Sequence, residues 1–371
     1  MNASTEEAVN SIFQPESSIS NLDAFFRQAE NEPAAEQYIF SLEQLLQRQS
    51  TPHRYLWGEI MPVMGLAAIA GAPDSGKSMF CRELALSISL GRTEFLGFPL
   101  SLIHNRAIYV STEDSIDTTQ YAFTKQLQGS GDHTADHTGD HTSGCNHEQL
   151  QIIFADQIQT KALLENLFSM LSEHPVDLIV LDSYGDLFNG RDGNSNTDVR
   201  AFLKPFALLA NKFECLILFI HHLNKAAYSV APNQRHVQGA GALGQKTRLL
   251  LELRKGEAEG IRYLSILKGN GVSGKLKEKA IELQFNEDSL TFSRTGNERP
   301  HSDFALPQSY KPERDCSMLF EDDEEELPYR VLIERFQDRF DVSPSTAKRG
   351  IREGLTKGQP GYYRNPRVTG S

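Results

Sequence analysis

The chain has 371 residues, of which 39% are hydrophobic and 23% charged, proportions that are ordinary for a globular protein. Its length exceeds one average domain, so we expect one large domain with a smaller satellite. It contains no apolar run of 18 residues and no basic-then-apolar leader, which argues against a membrane span and predicts a cytosolic protein with no membrane partner. Four scattered cysteines argue against a disulfide framework and a zinc ribbon.

The net charge of −12 is unevenly distributed. Acidic residues are concentrated near the N-terminus and in Glu321–Glu326, whereas the tail from Leu327 onward is basic. Because a local basic face is enough for nucleic-acid binding, the acidic average does not exclude such a partner.

Residues 1–50 are acidic and polar, with short helices expected around Asn21–Glu30 and Glu36–Gln47. Their apolar surface is too small for an independent core. We expect an arm that packs on the main domain or on a neighbouring subunit. Trp57, which follows this arm, has two open interpretations: a place beside a ligand, or ordinary core packing.

The next stretch fits the phosphate-loop pattern G-x-x-x-x-G-K-[ST] in full. Its eight residues are Gly71, Ala72, Pro73, Asp74, Ser75, Gly76, Lys77 and Ser78. An apolar strand precedes the loop, and a pattern of helical spacing follows it, which is the context that the motif requires. We expect the loop to bind a nucleoside triphosphate, with Lys77 reaching the β- and γ-phosphates and Ser78 coordinating Mg²⁺.

A second buried strand is predicted at Arg106–Val110, and acidic residues follow it. Carboxylates at the carboxyl end of a parallel strand lie at the edge where open α/β sheets bind ligands. Glu113 is therefore a candidate base that activates a water molecule, with helix capping as the alternative. For Asp114 we favour capping of the helix that begins near Ser115.

Residues 127–149 carry a tandem Asp-His-Thr repeat. Histidine-rich tracts can bind transition metals. Polar repeats without apolar residues more simply indicate a disordered insertion in a surface loop, which is the interpretation that we favour.

Two further apolar strands end in polar side chains. Val176–Leu181 leads into Asp182, the pattern of an aspartate that holds Mg²⁺ in phosphate-loop proteins. Leu216–Ile220 closes on His221 and His222. A neutral histidine at this edge can bind the γ-phosphate; one of the two must point away, and we favour a structural role for His221.

Five motifs in this order resemble the RepA-like branch of the RecA-fold ATPases. They are the phosphate loop, Ser111-Thr112-Glu113-Asp114, Leu181-Asp182-Ser183, His221-His222-Leu223-Asn224-Lys225 and Gly239-Ala240-Gly241-Ala242-Leu243. The resemblance covers roughly residues 55–290. It implies an α/β fold, with a RecA-like P-loop NTPase core over residues 51–293 and a mainly parallel sheet flanked by helices.

The resemblance also implies function. It assigns Glu113 as catalytic base, Asp182 as the Mg²⁺ ligand and His222 as the γ-phosphate sensor. It further implies ATP-driven translocation on single-stranded DNA by a homo-oligomeric ring, with a hexamer favoured and the active sites between subunits.

In this family an arginine from the neighbouring subunit completes the site. Arg248 matches its position best, within the helix expected from Gly239 onward, while Arg254 and Arg262 are alternatives. The DnaB-like branch instead carries Lys-x-Arg on a later strand; here Lys268-Gly269-Asn270 retains only the lysine.

The loop between Lys225 and Gln238, which includes Arg235, is expected to face the central channel. Its positive charge would bind the backbone of single-stranded DNA independently of base sequence. The alternative is a solvated loop without a partner.

Residues 294–326 contain prolines and the acidic run and are expected to form a linker. Residues 327–371 resemble the second half of a winged helix-turn-helix. Lys348, Arg349 and Arg352 would lie on its recognition helix and bind duplex DNA. Docking to a protein, or a lid over the ATPase ring, is the alternative.

These observations predict a RepA-like replicative helicase of a plasmid or other mobile element. Two alternatives remain open: a RecA-fold DNA-dependent ATPase that does not unwind DNA, and a DNA-binding regulator that uses ATP only as a switch.

Overall fold

The computed structural model describes twelve parts of the chain. They are residues 22, 24–26, 40–47, 54–129, 147–188, 195–223, 230–234, 237, 240–304, 315–321, 324–340 and 344–367. The chain divides into two compact units, Met1–Phe304 and Ala305–Ser371.

The first unit contains thirteen strands among its described residues. In chain order they are β1 (Tyr55–Trp57), β2 (Met61–Pro62), β3 (Gly65–Gly71), β4 (Glu94–Phe95), β5 (Phe98–Pro99), β6 (Ala107–Ser111), β7 (Leu150–Phe154), β8 (Leu178–Asp182), β9 (Leu216–His222), β10 (Leu249–Lys255), β11 (Ile261–Gly269), β12 (Lys279–Asn286) and β13 (Thr291–Pro300).

Its described helices are α1 (Leu42–Gln47), α2 (Lys77–Ser89), α3 (Ile116–Gly129), α4 (Thr160–Glu173), α5 (Tyr184–Leu187), α6 (Asn196–Lys212) and α7 (Ala240–Lys246). Short 3₁₀ turns lie at His147–Gln149, Lys275–Lys277 and His301–Phe304.

Nine of the strands form one sheet in the order β13-β12-β11-β10-β3-β9-β8-β6-β7. From β10 to β7, neighbouring strands are parallel. Strands β11, β12 and β13 extend this sheet in antiparallel fashion. The mainly parallel sheet flanked by helices confirms the expected α/β class.

Both faces of the central strands are covered, which explains their continuous apolar sequences. All seven residues of β3 are buried. Because side chains alternate along a strand, Leu66 and Ala68 enter one core and Ala67 and Ile69 the other. Helices α4 and α6 cover the first core, while α2 covers the second. The strand ends are thereby held at fixed positions on one edge.

Trp57 lies in the second core with 0% exposure, and its indole Nε1 donates to the carbonyl of Phe95 at 2.8 Å. Its ring packs edge-on against Phe80 and Phe98. Ordinary core packing is therefore the interpretation that holds, because a fully buried ring cannot stack on a ligand.

The N-terminal arm is described only in part. Leu22 is buried in the first core, with Phe25 and Phe26 packed beside it. The described part of the second expected helix begins at Leu42, and Leu42, Leu45 and Leu46 are all more than half exposed. Residues 27–39 lie outside the described residues.

The expected histidine-rich insertion has narrower bounds in the structure. Residues 127–129 complete α3, and residues 147–149 form a 3₁₀ turn that leads into β7. The repeat itself, residues 130–146, lies outside the described residues.

The linker expected over residues 294–326 is too long. Strand β13 continues to Pro300, where Arg299 and Pro300 still pair with β12. Cys316 and Leu319 are buried in the core of the second unit. Both ends of the expected linker therefore belong to folded units, because their apolar or pairing residues outweigh the local prolines and charges.

The second unit contains two short strands and two helices among its described residues. They are β14 (Glu326–Pro328), α8 (Tyr329–Phe340), α9 (Pro344–Gly354) and β15 (Tyr362–Arg364). Strands β14 and β15 pair antiparallel. Leu332, Phe336, Ala347 and Ile351 are buried between the helices. The helix pair followed by a hairpin strand is compatible with the expected winged-helix arrangement, which stays a prediction.

None of the helices in the described parts of the chain combines the length and apolarity needed to cross a membrane.

Candidate active site

The phosphate-loop motif forms the turn between β3 and α2. Asp74 and Gly76 adopt left-handed backbone angles, with φ of 60° and 93°, which curl the chain back toward the helix. The buried hydroxyl of Ser75 donates to the carbonyl of Ala72 at 2.9 Å and closes the turn. The first N–H groups of an α-helix have no intrahelical acceptor, so the start of α2 offers donors to an anion.

Gly71 is required by close packing behind this loop. A Cβ at Gly71 would collide with the carbonyl oxygen of Leu253 on β10 and would stand 2.7 Å from the Ser75 hydroxyl. The absence of a side chain lets β10 lie directly against the loop. Gly71 is therefore needed for packing against β10, and Gly76 for the left-handed backbone at the start of α2.

The Lys77 side chain folds into the loop. The residue is 4% exposed, and its Nζ donates to the carbonyl of Ala72 at 2.5 Å. Burial lowers the pKa of Lys77, while the negative charges of Asp182, Glu113 and Asp74 oppose that shift. A phosphate group entering the loop would therefore find a desolvated cation at its centre.

Asp182 at the end of β8 lies beside the start of α2 and is hydrogen-bonded to the side chain of Ser78. A hydroxyl and a carboxylate in contact are hard oxygen donors of the kind that Mg²⁺ prefers. These two residues, which the sequence predicted as metal ligands, therefore fit a magnesium ion beside the phosphate loop.

The Asp182 carboxylate is enclosed by two further groups. The Tyr109 hydroxyl donates to its Oδ2 at 2.5 Å, and Arg82 Nη2 lies 4.0 Å from the same oxygen. Burial raises the pKa of Asp182, and the hydrogen bonds from Tyr109 and Ser78 and the charge of Arg82 oppose the rise. Burial also raises the pKa of Tyr109 well above its ordinary value, which keeps its hydroxyl a donor.

Glu113 and His222 lie together at the same edge of the sheet. Glu113 Oε1 stands 3.4 Å from His222 Nε2, and both side chains are close to half exposed. His221 points elsewhere, with its ring packed edge-on against Tyr184. The structure thus brings the candidate base and the candidate sensor into contact, at the edge that Lys77 and Asp182 share.

The expectation for Asp114 is wrong. Its carboxylate forms an ion pair with the buried Arg82. The helix cap is instead Ser115, whose Oγ accepts from the backbone N–H of Thr118 at 3.2 Å. A buried guanidinium needs a counter-charge more than a helix terminus needs a carboxylate, since serine caps equally well.

Part of the chain matches a known protein family. A family model described as AAA domain matches residues 31–228, more than half of the chain. The chain belongs to this AAA domain family. It is also similar to a solved structure described as an ATPase domain, with 13% sequence identity and a TM-score of 0.47, over 62% of this chain and 84% of that chain. No curated protein matches the chain.

The site of this AAA domain protein lies on an α/β core that carries the phosphate loop in its central strand. The phosphate-loop strand β3 occupies the middle of the sheet, flanked by β9 and β10, and the strands that carry Asp182 and Glu113 follow at β8 and β6. Because these strands are parallel, their carboxyl ends meet at one edge.

Arg248 lies at the opposite edge of the same sheet. It follows α7, which ends at Lys246, so the expectation that Arg248 belongs to the helix is wrong. Its side chain is exposed and packs over Gly65, the first residue of β3. The phosphate loop begins six residues later, about 20 Å away along an extended strand. Arg248 therefore does not reach the site of its own subunit.

The two alternative arginines are buried. Arg254 and Arg262 are 5% and 4% exposed. Arg254 forms an ion pair with Glu252, and Arg262 Nε donates to the carbonyl of Ser75 in the phosphate loop at 3.2 Å. Both side chains contact groups of their own chain, whereas Arg248 is exposed.

Lys268 also contacts its own chain. Its Nζ donates to the carbonyls of Gly244 at 2.5 Å and Thr247 at 2.7 Å, at the end of α7. Lys268 therefore caps a helix in its own chain.

The predicted DNA-binding residues fall into two groups. Lys225 and Arg235 lie outside the described residues. Lys348, Arg349 and Arg352 are exposed on α9 in the second unit, on the face opposite the buried Ala347 and Ile351. That helix therefore presents a basic face to solvent.

The sequence interpretation missed three residues beside the site: Arg82, Tyr109 and Thr112. The Thr112 hydroxyl donates to Asp186 at 2.7 Å and accepts from the backbone N–H of Ser183 at 2.9 Å, which ties the ends of β6 and β8 together. A usable signal existed for Arg82 alone, because a charged residue on an otherwise buried helix face demands a partner.

Proposed function

We propose that this protein is an ATP-hydrolysing motor that acts on DNA, and that it is a RepA-like replicative helicase of a plasmid or other mobile element. The observation that carries ATP hydrolysis is the convergence of Lys77, the Ser78–Asp182 pair and the Glu113–His222 pair at one edge of the sheet. The RepA type and the mobile-element setting rest on the sequence motifs described above.

Glu113 is the proposed catalytic base. Its carboxylate is 49% exposed, so a water molecule can reach it, and it stands on the phosphate-loop side of the sheet. A carboxylate at this place would orient the water and accept its proton as the oxygen attacks the γ-phosphorus. The leaving group is the β-phosphate oxygen of ADP.

Lys77 and His222 are proposed to bind the phosphates. Lys77 would exchange its contact with the Ala72 carbonyl for β- and γ-phosphate oxygens. His222 would exchange Glu113 for the γ-phosphate, which frees the carboxylate to bind water. Ser78 and Asp182 would hold Mg²⁺, which when bound neutralises the charge on the phosphate oxygens.

The position of Arg248 supports the proposed oligomer. Because Arg248 is exposed and lies about 20 Å from its own phosphate loop, a catalytic role for it would require the site of another subunit. A ring, with a hexamer favoured, would supply each site with Arg248 of the next subunit, and the loop with Lys225 and Arg235 would bind single-stranded DNA in the channel.

The decisive test is steady-state ATP hydrolysis with and without single-stranded DNA, beside a Lys77→Ala variant. We expect DNA to stimulate hydrolysis and the variant to lose it. Lys161→Ala is the matched control, because the Lys161 side chain is exposed and its Nζ lies 3.8 Å from Glu165, away from the phosphate loop. Slow hydrolysis that is indifferent to DNA would refute the motor.

A second candidate function is favoured by the exposed basic face of α9. In that case the protein would be a DNA-binding regulator that uses ATP as an assembly switch, and duplex DNA would be its partner. An ATPase rate that is unaffected by Glu113→Gln would support this regulator. Strand displacement on a forked duplex separates the helicase from a DNA-dependent ATPase that does not unwind. Unwinding supports the helicase, whereas stimulated hydrolysis without unwinding supports a DNA-dependent ATPase of another kind.

A further inference from the structure

Arg82 is a charged residue with no exposed side-chain surface, in the middle of the helix that follows the phosphate loop. It lies one turn after Ser78, so that both side chains point from α2 toward the ends of β6 and β8. The sequence motifs assign nothing to this position. A guanidinium placed here is enclosed on every side and cannot be part of a solvated surface.

The contacts of Arg82 converge on the two strand ends that carry the candidate chemistry. Its Nη2 pairs with the Asp114 carboxylate and lies 4.0 Å from Oδ2 of Asp182. Its guanidinium carbon stands 5.2 Å from the centre of the Tyr109 ring, and the Tyr109 hydroxyl donates to Asp182. One cation therefore touches the proposed magnesium ligand and the residue next to the proposed base.

This arrangement is costly as a purely structural device. Burying a guanidinium removes its hydration, and among the described residues the Nε of Arg82 has no hydrogen-bond partner. An apolar side chain of similar length would fill the same space without that cost. The cost is understandable if the two carboxylates need a fixed cation between them.

We infer that Arg82 is a positioning residue for the magnesium site: it holds the Asp182 carboxylate facing Ser78 and fixes Asp114, and with it the strand end that bears Glu113. The inference rests on the proposed function, since it concerns a nucleotide bound with Mg²⁺. Arg82 touches neither nucleotide nor metal. It acts through Asp182 and Asp114.

The shape of the guanidinium matters for this role. Its planar fork can donate to Asp114 while its charge faces Asp182. A lysine ammonium is a point charge on a flexible stem, so it holds neither carboxylate in a fixed orientation. The positive charge alone is therefore not sufficient, and Arg82→Lys tests this.

The experiment measures nucleotide affinity and not turnover. Fluorescent ADP is titrated into the full-length chain at a series of Mg²⁺ concentrations, and again in EDTA. The variants are Arg82→Met, Arg82→Lys and the matched control Glu83→Gln. Glu83 is the next residue on the same helix and is also buried, but its carboxylate accepts from the backbone N–H of Phe292, away from Asp182.

We expect Arg82→Met to raise the Mg²⁺ concentration for half-maximal effect by about 10- to 100-fold, the range found when groups supporting metal ligands are removed. Arg82→Lys should give a smaller rise. Affinity in EDTA should stay unchanged, because the phosphate loop is intact. Glu83→Gln should keep the wild-type Mg²⁺ requirement even if its stability changes.

Loss of affinity in EDTA to the same degree as with Mg²⁺ would overturn the inference, because it would indicate a general packing role. If Arg82→Met does not fold, the lysine variant decides: a wild-type Mg²⁺ requirement in folded Arg82→Lys would overturn the inference. Wild-type protein that binds nucleotide without any dependence on Mg²⁺ would overturn the proposed function and this inference together. A wild-type dependence that both variants retain would overturn the inference alone.

Discussion

The Nε2 atom of His222 stands 3.4 Å from Oε1 of Glu113, although 109 residues separate the two positions in the chain. Glu113 follows β6 and His222 ends β9, and between these strands lies β8, which ends in Asp182. The parallel sheet thus places three chemically active side chains at neighbouring strand ends. In the proposed mechanism, a γ-phosphate bound by His222 would release Glu113.

The first prediction concerns Glu113→Gln. If Glu113 is the base, this variant should lose ATP turnover by about 10²- to 10⁴-fold, because glutamine cannot accept the proton. Affinity for ATP should be retained, since Lys77 and Ser78 are unchanged. Steady-state hydrolysis and fluorescent-nucleotide binding measure the two properties. An unaffected rate would favour the ATP-switched regulator.

Arg248→Ala tests the arrangement of subunits. We expect hydrolysis to fall by about 10³-fold or more while nucleotide affinity is kept, because the arginine would act on the neighbouring site. Mixing Arg248→Ala with Lys77→Ala should restore part of the activity, since mixed interfaces pair an intact loop with an intact arginine. Lys246→Ala, an exposed cation two residues earlier, serves as control. No restoration in mixtures would contradict a finger supplied in trans.

Replacing Lys348, Arg349 and Arg352 together by alanine should weaken duplex DNA binding. Each lost phosphate contact should lower the slope of log affinity against log salt by about 1. Hydrolysis without DNA should stay at its wild-type rate. Arg330→Ala on α8 is the control, because Arg330 is exposed and lies beside Glu334. Unchanged duplex affinity in the triple variant would favour a protein-docking role for the second unit.

The buried side chain of Glu83 should make the stability of the protein depend on pH. Burial raises its pKa to about 8 from an ordinary 4.5. Between these two values the folded chain holds a proton at Glu83 that the unfolded chain has lost, so the stability from this group falls as the pH rises through that window. The total is on the order of a few kcal/mol, at about 1.4 kcal/mol per pKa unit.

Urea unfolding of wild type and Glu83→Gln at about pH 5 and pH 8.5 isolates this contribution. Glutamine can still accept from the Phe292 N–H but cannot ionise. The two proteins should be closest in stability at the lower pH, with the variant gaining on the wild type at the higher pH. A constant difference across the range would refute the buried, protonated carboxyl.

Trp57 gives a prediction for both stability and spectroscopy. Because the ring is fully buried among aromatic side chains, Trp57→Ala should lower the free energy of unfolding by about 3–5 kcal/mol. Circular dichroism during urea unfolding measures this loss. As Trp57 is the only tryptophan, the emission of the native protein should be blue-shifted and insensitive to ADP. Strong quenching by ADP would place the ring beside the nucleotide instead.

The sequence by itself determined the features that depend on residues close together in the chain. The spacing of glycines in the phosphate loop, the apolar runs of the central strands and the polar residues at the ends of β6, β8 and β9 all follow from local backbone geometry and burial. These patterns were sufficient for the α/β class and for the placement of Lys77, Ser78, Glu113, Asp182 and His222 at one edge.

Contacts between distant residues were decided by the tertiary structure alone. Asp114 pairs with Arg82 and does not cap a helix, and Arg262 donates to the phosphate loop. Arg248, in contrast, is exposed at the opposite edge of the sheet. An arginine side chain can face solvent, pair with a carboxylate or donate to a carbonyl, and the sequence alone does not distinguish these roles. The role of each arginine depends on the strand order and on which neighbouring charges are buried away from water.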